Sequence, residues 1–235
     1  MTMRYKAVFF DLDGTLRIPT PGPTAAFIHF ARSLDIDISP TAEKRVKLWA
    51  HHYWGQNELV KQDMEQFGRD SFWVNYSKLL LEAVDVSSDL MQRARLVREW
   101  FETGYTPQVE LASGAIDLLT GLKQAGIILG LVSNRTDPLQ EAVAELGLEE
   151  FFDMTLAAGE IGCWKPNPAI FHHALSQFTG LRPECCLYIG DNYYADGLGA
   201  ERAGMMPVLF DPDDLYSQST FKRINCMSDL RPLVG

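Results

Sequence analysis

Two spacings of apolar residues take turns along the chain. Short, almost wholly apolar runs recur at residues 6–10, 127–132, 154–157, 186–189 and 207–210. None alternates polar with apolar positions, so each predicts a strand covered on both faces, as in a parallel sheet. Between these runs the period lengthens: Ala115, Leu118, Leu119 and Leu122 make one apolar face, and Gly126 stops it. Residues 168–178 predict another helix, with Asn167 as its N-cap and Pro168 in its first position. Strand and helix in alternation predict an α/β fold, a doubly wound parallel sheet with right-handed crossovers.

The alternation breaks once. From about Ile18 to Thr106 no strand pattern occurs, and helical spacings replace it, as in Phe27, Phe30, Ala31 and Leu34 or Leu90, Ala94, Val97 and Phe101. Proline- and glycine-rich stretches, PTPGPT at 19–24 and TGYTP at 103–107, bracket this region as linkers between two bodies would. The expected organisation is a core from residues 1–17 and 107–235, with a mainly α-helical cap domain, residues 18–106, inserted after the first strand. No internal repeat or low-complexity tract points to a solenoid or a disordered tail.

Composition narrows the partners. At 235 residues and 46% hydrophobic, the chain can bury a substantial core. Its formal net charge of −10 argues against nucleic acid and anionic membranes as partners, since both require a basic surface. Any anionic ligand must then be held by a local site. No apolar run approaches the roughly 20 residues that cross a bilayer, and the N-terminal run is too short for a signal peptide, so a cytoplasmic location is expected. Cys163, Cys185, Cys186 and Cys226 form no CxxC pair, which predicts reduced, mostly buried thiols rather than a zinc site or disulfides. Residues 17–108 carry 11 Lys and Arg against 12 Asp and Glu, leaving 10 against 19 for the remainder, so the insert is far less acidic than the core.

Polar residues collect where such folds bind ligands, beyond the carboxyl ends of the strands. The first predicted strand runs into Asp11 and Asp13, the second ends in Ser133 and Asn134, and the run at 186–189 leads to Asp191, with Asp196 five residues on. Lys165 lies in the loop CWKPNP just before a helix. Crowded carboxylates repel and are costly to desolvate, so the set makes sense chiefly around a hard cation. Mg2+ fits, because it takes oxygen ligands with a substrate phosphate, whereas zinc wants His or Cys. Cation and Lys165 together would make a locally positive pocket for phosphate, completed by Ser133 and by backbone N–H groups around Gly14 and Asn134. Asp11, on a rigid strand, would be the nucleophile on phosphorus. Asp13 could protonate the leaving oxygen and then deprotonate water, serving the metal through its backbone carbonyl.

With DLDGTL at 11–16, VSN at 132–134, Lys165 in KPNPAIF and GDNYYAD at 190–196, the chain resembles the haloacid dehalogenase (HAD) superfamily of phosphatases. The resemblance implies a Rossmann-like core and hydrolysis of a small phosphorylated metabolite through an aspartyl-phosphate on Asp11. It also implies Mg2+ held by Asp11, the Asp13 carbonyl and Asp191, with Ser133 and Lys165 on the phosphoryl group. Gly14, Thr15 and Asn134 join them as candidate phosphate contacts. Asp196 would act on the metal's waters or on Lys165; a plainer reading makes it a cap of the following helix. The insert falls where members with a helical cap carry theirs. A phosphomutase would use the same residues, and a phospho-accepting signalling domain gathers a similar set, although the large insert speaks against the latter. In the insert, His51 and His52 sit among aromatics, but adjacent helical positions point apart, which favours packing or surface roles over a shared metal. Arg45, Tyr53 and Trp54 join them as candidates for a cap face over the pocket. Nothing in the sequence separates a monomer from a homodimer, or one phosphorylated substrate from another.

Overall fold

The computed structural model describes residues 5–234. In chain order its elements are β1 (Ala7–Phe10), β2 (Arg17–Thr20), α1 (Pro23–Ser33), α2 (Pro40–Trp54), α3 (Asn57–Ala83), α4 (Leu90–Thr103), β3 (Gln108–Leu111), α5 (Ala115–Gln124) and β4 (Ile128–Ser133). There follow α6 (Gln140–Glu145), β5 (Met154–Ala157), α7 (Ala158–Ile161), α8 (Pro168–Ser176), β6 (Cys186–Gly190), α9 (Leu198–Arg202), β7 (Met206–Phe210), β8 (Lys222–Ile224) and α10 (Arg231–Val234).

Six strands form one parallel sheet in the order β5-β4-β1-β6-β7-β8, so the chain is α/β with β1 at the centre. Two apolar clusters cover its faces: Val8, Phe10, Leu129, Leu131, Leu187 and Ile189 belong to one, and Ala7, Phe9, Val132, Cys186 and Tyr188 to the other. Successive residues of each strand therefore enter opposite cores, which is why the strands read as unbroken apolar runs. Register depends on one small residue. Gly130 pairs with Phe9 in the ladder, and a Cβ there would lie 2.3 Å from the Phe9 ring.

The chain divides into two compact units, one running through Ile18 and resuming at Val109, the other Pro19–Gln108. The second is helical and has a core of its own from Phe27, Ile28, Val46, Leu80, Leu81 and Val97. Its longest helix, α3, breaks at Gly68, whose φ of 67° is left-handed. The unit bears an open cavity of about 390 Å³ walled by Trp54, Trp73, Tyr76, Phe101 and Tyr105 among others.

Some expectations need correction. The stretch from Ile18 to Thr106 was expected to lack strands, yet β2 runs into it from Arg17 and pairs with β3 in a two-stranded ribbon. Each has four residues and little burial, and β2 contains Pro19, so neither shows the apolar run that identifies a central strand. The edge strand β8 was unforeseen for the same reason, being three residues with one buried. Of the four free cysteines only Cys186 is buried, and Cys226 is exposed, so the thiols are not mostly buried. Among the described residues no helix is long and apolar enough to cross a membrane.

Candidate active site

Strand register assembles the site. Phe10 pairs with Leu131 on one side and Ile189 on the other, so β4, β1 and β6 end together and release Ser133, Asp11 and Asp191 at one edge. The Asp11 N–H continues the ladder, donating to the Ile189 carbonyl at 2.8 Å, which makes its backbone part of the sheet. Asp11 and Ser133 are buried.

Lys165 is buried with them, 2% exposed. Its Nζ donates to Asp11 Oδ1 at 2.6 Å, to Asp196 Oδ1 at 2.7 Å and to the Tyr188 hydroxyl at 3.0 Å. Three partners satisfy the three N–H donors of an ammonium, which is the condition for burying one. The loop that carries Lys165 is fixed by Asn134, whose side-chain amide donates to the Lys165 carbonyl at 2.9 Å and whose oxygen accepts the Lys165 N–H at 2.7 Å. The Asn134 side chain is thus committed to placing the lysine.

Asp196 sits in a single wide turn, Tyr193–Gly197, inserted ahead of α9. Asn192 caps that turn, accepting from the N–H groups of Tyr194 and Ala195. Asp196 instead turns inward, binding Lys165 with one oxygen and the Asn192 N–H with the other at 2.9 Å. It is 2% exposed, and the plain helix-cap reading does not describe it. Gly190 makes room for it, since a Cβ there would meet Asp196 Cγ at 2.2 Å. Gly14 does the same for Asp191: its φ is 87°, and a Cβ would lie 2.5 Å from Asp191 Oδ2. The Gly14 N–H is committed to the Arg17 carbonyl, so this glycine supplies space and not a free donor. Thr15 is buried and its hydroxyl donates to Asp191 Oδ1 over a long 3.5 Å.

Charge crowding is severe. Carboxylate oxygens of Asp11, Asp191 and Asp196 lie within 4.8 Å of one another. Burial, only partly offset by Lys165, pushes the Asp11 carboxyl up to about 7. Burial together with Asp196 and Asp11 pushes Asp191 well above the carboxylate range. Burial alone would lower the Lys165 ammonium, but Asp11 and Asp196 reverse this and hold it well above the ordinary lysine value. Three carboxylates against one ammonium leave an excess of negative charge, and all the donors are hard oxygens. That donor set fits a divalent magnesium-like cation and offers zinc no nitrogen or sulfur.

Asp13 stands apart. It is not in the buried cluster, and its carboxylate is clamped by arginines: Arg135 Nε donates to Oδ2 at 2.7 Å, Arg135 Nη2 to Oδ1 at 2.8 Å, and Arg17 Nη1 to Oδ1 at 3.2 Å. Sequence reasoning missed both arginines and also Tyr188. Arg135 directly follows the VSN motif and Arg17 directly follows DLDGTL, so proximity to a motif was the available signal. Tyr188 reads as one more apolar strand residue. In the insert, Arg45 pairs with Asp85, Tyr53 donates to Asp63 at 2.7 Å, Trp54 donates to Tyr76 at 2.9 Å, and the exposed His52 contacts Gln56. His51 and His52 join no cluster of metal-ligating side chains among the described residues.

The chain resembles known proteins in both sequence and fold. Residues 5–204 match the model of the haloacid dehalogenase-like hydrolases. A glyceraldehyde 3-phosphate phosphatase of Methanopyrus kandleri is 30% identical over 205 residues, 86% of this chain and 82% of the relative. The mouse haloacid dehalogenase-like hydrolase domain-containing protein 3 is 37% identical over 107 residues, 46% of this chain and 41% of that protein. Among solved structures, a protein described as a predicted phosphoglycolate phosphatase from Haemophilus somnus shares the fold with a TM-score of 0.65 at 20% identity, both chains covered fully. The chain belongs to the haloacid dehalogenase-like hydrolase family.

Proposed function

We propose that the protein is a magnesium-dependent phosphatase that hydrolyses a small phosphorylated metabolite through an aspartyl-phosphate on Asp11. The observation that carries this reading is the buried contact set of one ammonium, Lys165, on Asp11 and Asp196, with Asp191 alongside. Relatives named as phosphatases, the Methanopyrus protein among them, support the reaction class.

In this mechanism an Asp11 oxygen attacks phosphorus and the ester P–O bond breaks. Asp13 gives a proton to the departing alkoxide, which leaves as the alcohol. Water then attacks the phosphoaspartate, losing its proton to Asp13; the acyl-phosphate P–O bond breaks, and orthophosphate departs from a restored Asp11. Lys165 neutralises a phosphoryl oxygen as charge shifts on to it, and Ser133 donates its hydroxyl proton to another. Asp196, Asn134 and Tyr188 keep Lys165 aimed at the site. Mg2+, held by Asp11, Asp191 and the Asp13 carbonyl, would supply Lewis-acid charge neutralisation of the phosphoryl group. Asp196 holds Lys165 and would add its negative charge to the surroundings of the ion.

The test is release of inorganic phosphate from p-nitrophenyl phosphate, with and without chelator. Turnover that chelation abolishes and added Mg2+ restores is expected. Turnover that survives complete chelation, or a stably labelled protein that never releases phosphate, contradicts the reading.

A further inference from the structure

The clamp on Asp13 carries a consequence for the substrate. Both Asp13 oxygens face guanidinium N–H groups, bidentately from Arg135 and singly from Arg17. The two-point fork fixes the plane of the Asp13 carboxylate, so an Asp13 that turns toward the leaving oxygen gives up its bonds to Arg135. Two fixed positive charges then lose their counter-charge. Arg17 is already incompletely paired, because its Nε is buried without a hydrogen-bond partner, a costly state for a donor. Asp13 is two residues from Asp11 and Arg135 two from Ser133, so the vacated fork belongs to the same group of strand ends as the nucleophile. The planar fork of arginine matches a carboxylate or phosphoryl group through two parallel hydrogen bonds.

We propose that Arg135 and Arg17 form a subsite for a second anionic group of the substrate, a carboxylate or a second phosphoryl group a few bonds from the ester being cleaved. The substrate's own anion replaces Asp13 on the arginines and frees it for proton transfer. The inference rests on the proposed phosphatase reaction and narrows it from phosphorylated metabolites in general to those with two anionic ends. It also gives a physical basis for slower turnover of phosphoesters without a second anionic group, p-nitrophenyl phosphate among them, which do not displace Asp13 from the clamp.

Binding of phosphonates, which cannot be hydrolysed, tests the subsite apart from turnover. By calorimetry on the full chain with Mg2+, 3-phosphonopropionate should bind about 10- to 100-fold more tightly than propylphosphonate, the value of a charge-assisted bond pair. Propane-1,3-bisphosphonate compares a second phosphoryl-like group with the carboxylate. Whichever doubly anionic ligand binds more tightly identifies the preferred end group. In Arg135→Gln the advantage should fall to about 3-fold or less, with Arg135→Lys in between because it keeps the charge and loses the fork. Circular dichroism checks that both variants are folded. Equal binding of 3-phosphonopropionate, the bisphosphonate and propylphosphonate, or an advantage unchanged in Arg135→Gln, overturns the subsite and leaves the phosphatase intact. Failure of all three to bind overturns the phosphoryl site itself, and the subsite with it.

Discussion

Asp11 and Lys165 are tolerable in a buried position because each answers the other's charge. Removing one partner of a buried pair leaves the other uncompensated, typically at a cost of about 3–5 kcal/mol. Asp11→Asn is a milder case, since Asp196 still holds the ammonium. That variant should stay folded and lose essentially all phosphatase activity, read as phosphate release beside an unchanged circular dichroism spectrum. Asp13→Asn should lose about 10²-fold or more in kcat as a general acid and base is removed. Near-normal rates in either would contradict the assigned roles. The cysteines allow a separate check on the residue environments. Burial, with Cys185 and Glu184 nearby, pushes the Cys186 thiol up to about 12, while Cys226 is exposed. Thiolate is the reactive form, so iodoacetamide at neutral pH should label Cys226 readily and leave Cys186 unmodified in the folded protein, as peptide mapping would report.

Among the elements, the central strands have the tightest sequence constraint. Gly130→Ala would press a Cβ into the Phe9 ring between β4 and β1. Overpacking of this kind should cost about 1–3 kcal/mol, measurable as a lowered urea midpoint with little change in slope. An unchanged midpoint would mean that the sheet relaxes freely there. The five strands expected from apolar runs are present to within a residue at each end, because two-sided burial writes itself plainly into composition. β2, β3 and β8 were not legible, being short, half-exposed and held by pairing and not by a core. The site divides similarly. Asp11, Lys165 and Asp191 were legible as polar groups gathered at strand ends and loops, and Asp196 with them, although its position also allowed a helix-cap reading. Tyr188 was not, since its hydroxyl acquires a task only when a lysine 23 residues away arrives beside it. Arg135 likewise meets Asp13 across 122 residues of chain, a distance that no local pattern spans.

For the molecule as a whole, the difficulty is attracting an anion to a chain of net charge −10. Lys165, Arg17 and Arg135, joined by the divalent cation of the proposed mechanism, would provide the local positive charge. A ligand that binds only the folded state stabilises it by mass action. Mg2+ at 100 times its dissociation constant should add about 2.7 kcal/mol, on the order of 5–10 °C in Tm for the unit that contains the sheet. Differential scanning calorimetry would show the gain, and Asp191→Asn should abolish most of it. A gain that survives in Asp191→Asn would place the ion elsewhere.

The account stands or falls on a covalent phosphoryl group at Asp11. Hydroxylamine converts an acyl phosphate to a hydroxamate, which peptide mass spectrometry locates to the residue. With substrate and Mg2+ present during turnover, the account predicts a hydroxamate at Asp11, absent when chelator replaces the metal. Sustained turnover with Asp11 unmodified, or with the hydroxamate on another aspartate, would contradict it.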